Sequence, residues 1–91
     1  MIKIILPSQL DEYTQGEREL VLETERADLC LADVINELDK RHQGVAFRLV
    51  DEHGNIRRHI AMFIGEQMVR DLAVPVAPNA RVQIVGALSG G

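Results

Sequence analysis

Leu31-Ala32-Asp33-Val34-Ile35-Asn36-Glu37-Leu38-Asp39-Lys40-Arg41-His42 carries an apolar stripe, Leu31, Val34, Ile35, Leu38 and His42, at the three- and four-residue spacing of one helix face. Asp33, Asn36, Glu37, Asp39 and Lys40 occupy the wet side. Asp28 is the better N-cap by chemistry, while Cys30 stands immediately before the stripe with Asp33 three residues on. Gly44 is placed to stop the helix. On both sides of this segment the pattern changes to strands. Residues 2–6 are a β-branched run stopped by Pro7, and residues 19–24 set Leu20 and Leu22 on one face, so the two runs are expected to pair as a hairpin. Downstream, residues 46–50 and 56–64 are expected strands joined by the turn-forming residues 51–55. Gly65-Glu66 suits a type II′ turn, and residues 68–72 fit no single state. Pro75, Pro78 and Asn79 break the chain before a last strand over residues 81–85. The order is strand, strand, helix, strand, strand, strand. A mixed sheet covered on one face by a single main helix buries both apolar stripes, which makes the expected fold an α+β roll.

At 91 residues there is room for one core. The hydrophobic share of 46% suffices to build it, and with no Trp, one Tyr and two Phe it must come mainly from Ile, Leu and Val. The apolar start lacks the longer run and cleavage site of a secretory signal, and no stretch approaches the roughly 18 apolar residues of a membrane span. A soluble, cytoplasmic protein is expected, with no membrane partner. The single Cys30 agrees with a reducing compartment. A net charge of −4 opposes nucleic-acid binding. Residues 1–45 hold ten of the fourteen acids and five of the ten bases, so the acidic half is a candidate guide toward a basic partner, or simply a solvated face.

After Val85 the sequence continues Gly86-Ala87-Leu88-Ser89-Gly90-Gly91. The small residues Ser89, Gly90 and Gly91 have little to pack with, so residues 88–91 are expected to form a flexible tail behind a folded domain of residues 1–87. Extended, Leu88, Ser89, Gly90 and Gly91 reach roughly 13 to 14 Å, enough to thread a narrow channel in another protein. Residues without Cβ also let backbones approach closely.

The chain resembles the ubiquitin-like sulfur carriers, the family that includes the molybdopterin synthase small subunit and the thiamine sulfur carrier. The resemblance spans essentially the whole chain. It rests on Ile4-Ile5-Leu6-Pro7-Ser8 with Tyr13-Thr14-Gln15-Gly16, on the helix from Leu31 to Leu38, on Phe47-Arg48-Leu49-Val50-Asp51-Glu52-His53-Gly54 with Ile56-Arg57-Arg58, and on the ending from Ile84 to Gly91. It implies a β-grasp roll that binds no cofactor or metal itself and is not an enzyme. The Arg57-Arg58 segment and the ending look more like carriers serving cysteine or other sulfur-metabolite synthesis than like the molybdopterin subunit. Gly65-Glu66 stands where many relatives have Asn-Gly, and Cys30 where a Thr cap is common.

What the resemblance implies chemically is a carrier whose Gly91 carboxylate is activated by an ATP-using, ubiquitin-activating-type adenylating enzyme. The product is a thiocarboxylate, handed on to a sulfur-accepting biosynthetic enzyme. A free carboxylate is a poor electrophile, which is why activation is needed. In this scheme Leu88, Ser89 and Gly90 thread into the partner and Gly91 carries the sulfur, and the free protein is expected to be a monomer. A ubiquitin-like modifier joined to lysines through Gly91 uses the same activation, and an interaction subunit with no chemistry at its tail is a third reading.

The remaining candidates are weaker. Cys30 at a helix start is a possible nucleophile, but a small residue beside the core is the preferred reading. His42, His53 and His59 lack metal-ligand spacing, and Asp51 and Glu52 beside His53 have no nucleophile to serve. Arg57 and Arg58, expected to alternate across a strand, join Arg48, Arg70 and Arg81 as a possible partner surface.

Overall fold

Alternation of Ile2 and Ile4 with Lys3 and Ile5 makes β1 (Ile2–Ile5), which turns Ile2 and Ile4 into the core. It pairs antiparallel with β2 (Glu19–Leu22), Ile2 opposite Leu22 and Ile4 opposite Leu20, as the expected hairpin. The structure, a computed structural model, describes residues 1–86; the tail expected over residues 88–91 lies outside the described residues. Three more strands follow, β3 (Ile60–Ile64), β4 (Gln67–Val69) and β5 (Arg81–Gly86), and the sheet runs β2-β1-β5-β3-β4. The last strand is therefore the middle one, parallel to β1 and antiparallel to β3. Its inward residues Val82 and Ile84 join Ile60 and Met62 of β3 in one buried cluster.

Between β1 and β2, a 3₁₀ turn (Ser8–Leu10) runs into the one-turn helix α1 (Asp11–Thr14). Buried Leu10 and Thr14 anchor it, and the Thr14 hydroxyl donates to Glu17 O at 2.9 Å. The main helix, α2 (Leu31–Arg41), buries Leu31, Val34, Ile35 and Leu38, the stripe read from the sequence.

Cys30, rather than Asp28, is the N-cap of α2. The reason lies in the segment before β5. Val74 O accepts from the Leu31 N–H at 2.9 Å and Leu72 O from the Ala32 N–H at 3.0 Å, so the first two N–H groups of the helix have partners without a side-chain cap. Asp33 reaches back, accepting the Cys30 N–H at 2.9 Å and its thiol at 3.3 Å. These bonds, the backbone one first, hold the Asp33 carboxyl below its usual range. Asp28 instead pairs with Arg26 at 3.0 Å on the surface.

The expected strand over residues 46–50 is a helix, α3 (Val45–Leu49). The decisive pair is Val45 and Leu49, four apart and both fully buried, while Phe47 between them is 59% exposed. Gly44, at φ 99°, reverses the chain after α2. Asp39 in α2 accepts the N–H groups of Gly44 and Ala46 at 3.0 and 2.9 Å, supplying the new helix with a cap from its neighbour.

With α3 helical, the expected strand over residues 56–64 shrinks to β3, and only a Val50–Ile56 bridge remains of the hairpin. Arg57 and Arg58 consequently lie in the connection before β3 and do not alternate across a strand. The turn over residues 51–55 is present. Asp51 Oδ1 accepts from the backbone of His53 at 2.9 Å and Asn55 at 3.0 Å, and Gly54 has φ 82°. Gly65 at φ 62° with Glu66 outside the positive-φ region fits the expected type II′ turn into β4, which takes in Met68 and Val69 of the unassigned residues 68–72 and leaves residues 70–72 outside any strand.

Two stability measurements check this account. In urea unfolding, Leu49→Ala is expected to cost about 2 to 5 kcal/mol and Phe47→Ala about 1 kcal/mol or less. A strand would place both side chains on one face and bring the two losses together. The second concerns pH. The Asn55 N–H, followed by that of His53, holds the folded Asp51 carboxyl below its ordinary value. A depressed folded value means that the stabilisation is complete above the unfolded value of about 3.9 and fades as pH falls through the folded one. The stability advantage of wild type over Asp51→Asn is thus constant near neutrality and shrinks below about pH 4.

Candidate functional site

β5 ends at Gly86, in register with Ile60 of β3. β1 has already stopped at Ile5, so on that flank the place of a strand is taken by the Gln9 side chain, whose Nε2 donates to Gly86 O at 3.2 Å. A Cβ at Gly86 would stand 2.8 Å from Gln9 Cδ, so the close approach of this side chain depends on glycine. Ala87, Leu88, Ser89, Gly90 and Gly91, which include every sequence-predicted site residue, lie outside the described residues.

From Gln9 and Ile60 an open groove of about 370 Å³ runs between α1, α3 and the connection before β3. α3 exposes Phe47 and Arg48 to it because Val45 and Leu49 face the core. The Asp51-braced turn returns the chain so that Arg57 lies over Phe47. Its guanidinium carbon stands 4.7 Å from the ring centroid and its Nε donates to Phe47 O at 2.7 Å. Arg48 similarly lies 4.8 Å over the ring of Tyr13 in α1. His59 completes the basic wall, and Glu12 is the acid of the lining.

A second surface is the sheet face opposite the core. Ile5, Val21, Phe63, Met68 and Val85 alternate outward along their strands. Met68 is 52% exposed and Val85 36%. Both surfaces border the end of β5.

Of the five arginines grouped from sequence, Arg48 and Arg57 come together in the groove and Arg58 is exposed beside it. Arg70 instead donates to Ile60 O at 2.9 Å. Arg81 begins β5, opposite Lys3 and at the far end of the strand from Gly86. Cys30 is a cap. His42 continues the α2 stripe with its side chain only 9% exposed and Nε2 2.7 Å from Glu17 Oε1, and His53 lies 3.5 Å from Glu52 on the surface. Among the described residues no group of three His, Cys, Asp or Glu side chains is placed to hold a metal ion, and no helix is long and apolar enough to cross a membrane. Sequence reasoning missed Gln9 and the pairing of Phe47 with Arg57; a helical reading of residues 45–49 would have exposed the latter.

No protein-family model and no curated protein matches the chain. Solved structures do. A chain of the BexX/CysO complex of Amycolatopsis orientalis has a TM-score of 0.86 at 24% identity, with 100% of both chains covered. SAMP1 from Haloferax volcanii has 0.79 at 21%, covering 99% of this chain and 98% of that one. A Pyrococcus furiosus protein described as molybdopterin converting factor, subunit 1, has 0.67 at 17%, covering 96% and 97%. The five-stranded mixed sheet with one main helix, matched end to end by these structures, is the β-grasp, ubiquitin-like fold expected from the sequence.

Proposed function

We propose that this protein is a ubiquitin-like sulfur carrier that works through Gly91 and supplies no acid, base or metal of its own. The observation that carries the reading is the position of β5. In sequence, Ala87 and then Leu88-Ser89-Gly90-Gly91 come after the middle strand of the sheet, and two exposed surfaces border the end of that strand at Gly86. The likeness to a chain of the BexX/CysO complex and to a molybdopterin converting factor subunit supports the same reading.

In this function an adenylating enzyme of the ubiquitin-activating type docks the carrier and takes Leu88, Ser89 and Gly90 into its channel. A Gly91 carboxylate oxygen attacks the α-phosphorus of ATP and pyrophosphate leaves. Hydrosulfide then adds to the acyl carbon of the mixed anhydride and expels AMP, which leaves a thiocarboxylate. If the donor is an enzyme persulfide, the same attack gives an acyl disulfide, and a second thiol reduces it to the thiocarboxylate and a mixed disulfide. On a sulfur-accepting biosynthetic enzyme the thiocarboxylate sulfur attacks the acceptor to form a thioester, and water then cleaves the acyl–sulfur bond, which leaves the sulfur on the acceptor and restores the Gly91 carboxylate. The likeness to SAMP1, a small archaeal modifier protein, favours a second reading, in which a lysine amine takes the place of sulfide and an isopeptide forms.

Adenylation is measured by ATP–pyrophosphate exchange with the activating enzyme of the same organism. Wild type is expected to support exchange, whereas deletion of Gly91 or the substitution Gly90→Trp abolishes it, with circular dichroism and thermal unfolding unchanged. Exchange supported by the truncated chain contradicts the proposal.

A further inference from the structure

We infer that the groove at the end of β5 docks an acidic loop of the adenylating enzyme, which sets carboxylates against Arg48 and Arg57 and an apolar side chain against Phe47; the identity of that partner rests on the function proposed above. Charge is the first ground. The protein carries −4 overall, yet Arg48, Arg57 and His59 line this groove against Glu12, and Arg58 is exposed at its rim. The second is the state of those arginines. Arg18 and Arg26 are each spent on an aspartate, at 2.7 and 3.0 Å, whereas Arg48 and Arg57 make no ion pair among the described residues.

Both guanidiniums are also held in place, at 4.8 Å over Tyr13 and 4.7 Å over Phe47. The bond from Arg57 Nε to Phe47 O uses one of five donors and leaves the Nη groups for a carboxylate. Order of this kind reduces the entropy lost on binding. Phe47, 59% exposed, adds the apolar contact that arginine and aromatic residues together bring to the centre of interfaces. The third ground is place. The groove starts at Gln9 and Ile60, which flank Gly86, so a partner that receives the residues after Gly86 passes over it. A nucleic-acid strand fits the arginines but meets a protein with ten of its fourteen acids in residues 1–45.

The test compares R48E/R57E with the charge-matched K40E/R41E, since Arg41 lines a separate cleft with Leu20 and Leu22 of β2. In ATP–pyrophosphate exchange, R48E/R57E is expected to raise KM for the carrier about ten-fold or more with kcat little changed. K40E/R41E leaves KM within about two-fold. An unchanged KM in R48E/R57E, or an equal rise in K40E/R41E, overturns the inference. If wild type is no substrate for adenylation, the proposed function fails, and a second measurement decides the groove by itself. ¹H–¹⁵N spectra of the full chain are titrated with the peptide acetyl-Glu-Asp-Phe-Glu-Leu-amide. Shifts confined to residues 9–13, 47–49 and 57–60, and lost in R48E/R57E, sustain the acidic-segment site. Absent or scattered shifts, or displacement of the peptide by an equal concentration of single-stranded RNA, overturn it.

Discussion

The pairing of β5 with β1 on one side and β3 on the other is the constraint on which the rest of the structure depends. It joins the first strand to the last, and the two hairpins flank it as β2-β1 and β3-β4. Parallel pairing requires a crossover, and α2 lies within that long connection, where its buried stripe shares one apolar cluster with Ile2, Ile4, Val82 and Ile84. The same arrangement fixes where the chain leaves the sheet. β5 is bracketed by strands on both sides as far as Gln83, and β3 alone accompanies it on to Gly86.

What could be read from sequence is what local period determines. Leu31, Val34, Ile35 and Leu38 declared a helix, and Leu20 with Leu22, like Ile2 with Ile4, declared strands facing a core. Gly65-Glu66 declared its turn through glycine's tolerance of positive φ. Residues 45–49 did not, since five residues satisfy a two-residue alternation and a four-residue spacing equally well, and burial of Val45 with Leu49 chose between them. The cap of α2 was hidden for a related reason. Cys30 is adequate there because Val74 and Leu72, about forty positions away, bring carbonyls to the first helical N–H groups. The groove was hidden too, since it is assembled from α1, α3 and the residues after Asp51, which only the tertiary fold brings together.

The charges divide the molecule in a way composition half disclosed. The acidic excess of residues 1–45 is real, but the surface beside the end of β5 is basic, built from Arg48, Arg57 and His59 in the other half of the chain. Under the proposed function the domain performs no chemistry of its own and acts through what it presents: an ordered surface for recognition and a backbone narrow enough to enter another protein's site. The two demands conflict within one packed element, because recognition requires fixed side chains and threading requires their absence. This sequence separates them, with stacked arginines on the body and Ser89, Gly90 and Gly91 after the last strand.

The central claim is that Gly91 carries the sulfur, and the most direct measurement is the mass of the peptide that contains it. The full chain is incubated with the adenylating enzyme, ATP and sulfide and then cleaved after Arg81, and the peptide of residues 82–91 is fragmented in a mass spectrometer. The account predicts one oxygen replaced by one sulfur, located at Gly91. Sulfur found on Cys30 instead, or a peptide of unaltered mass after complete ATP turnover, contradicts it.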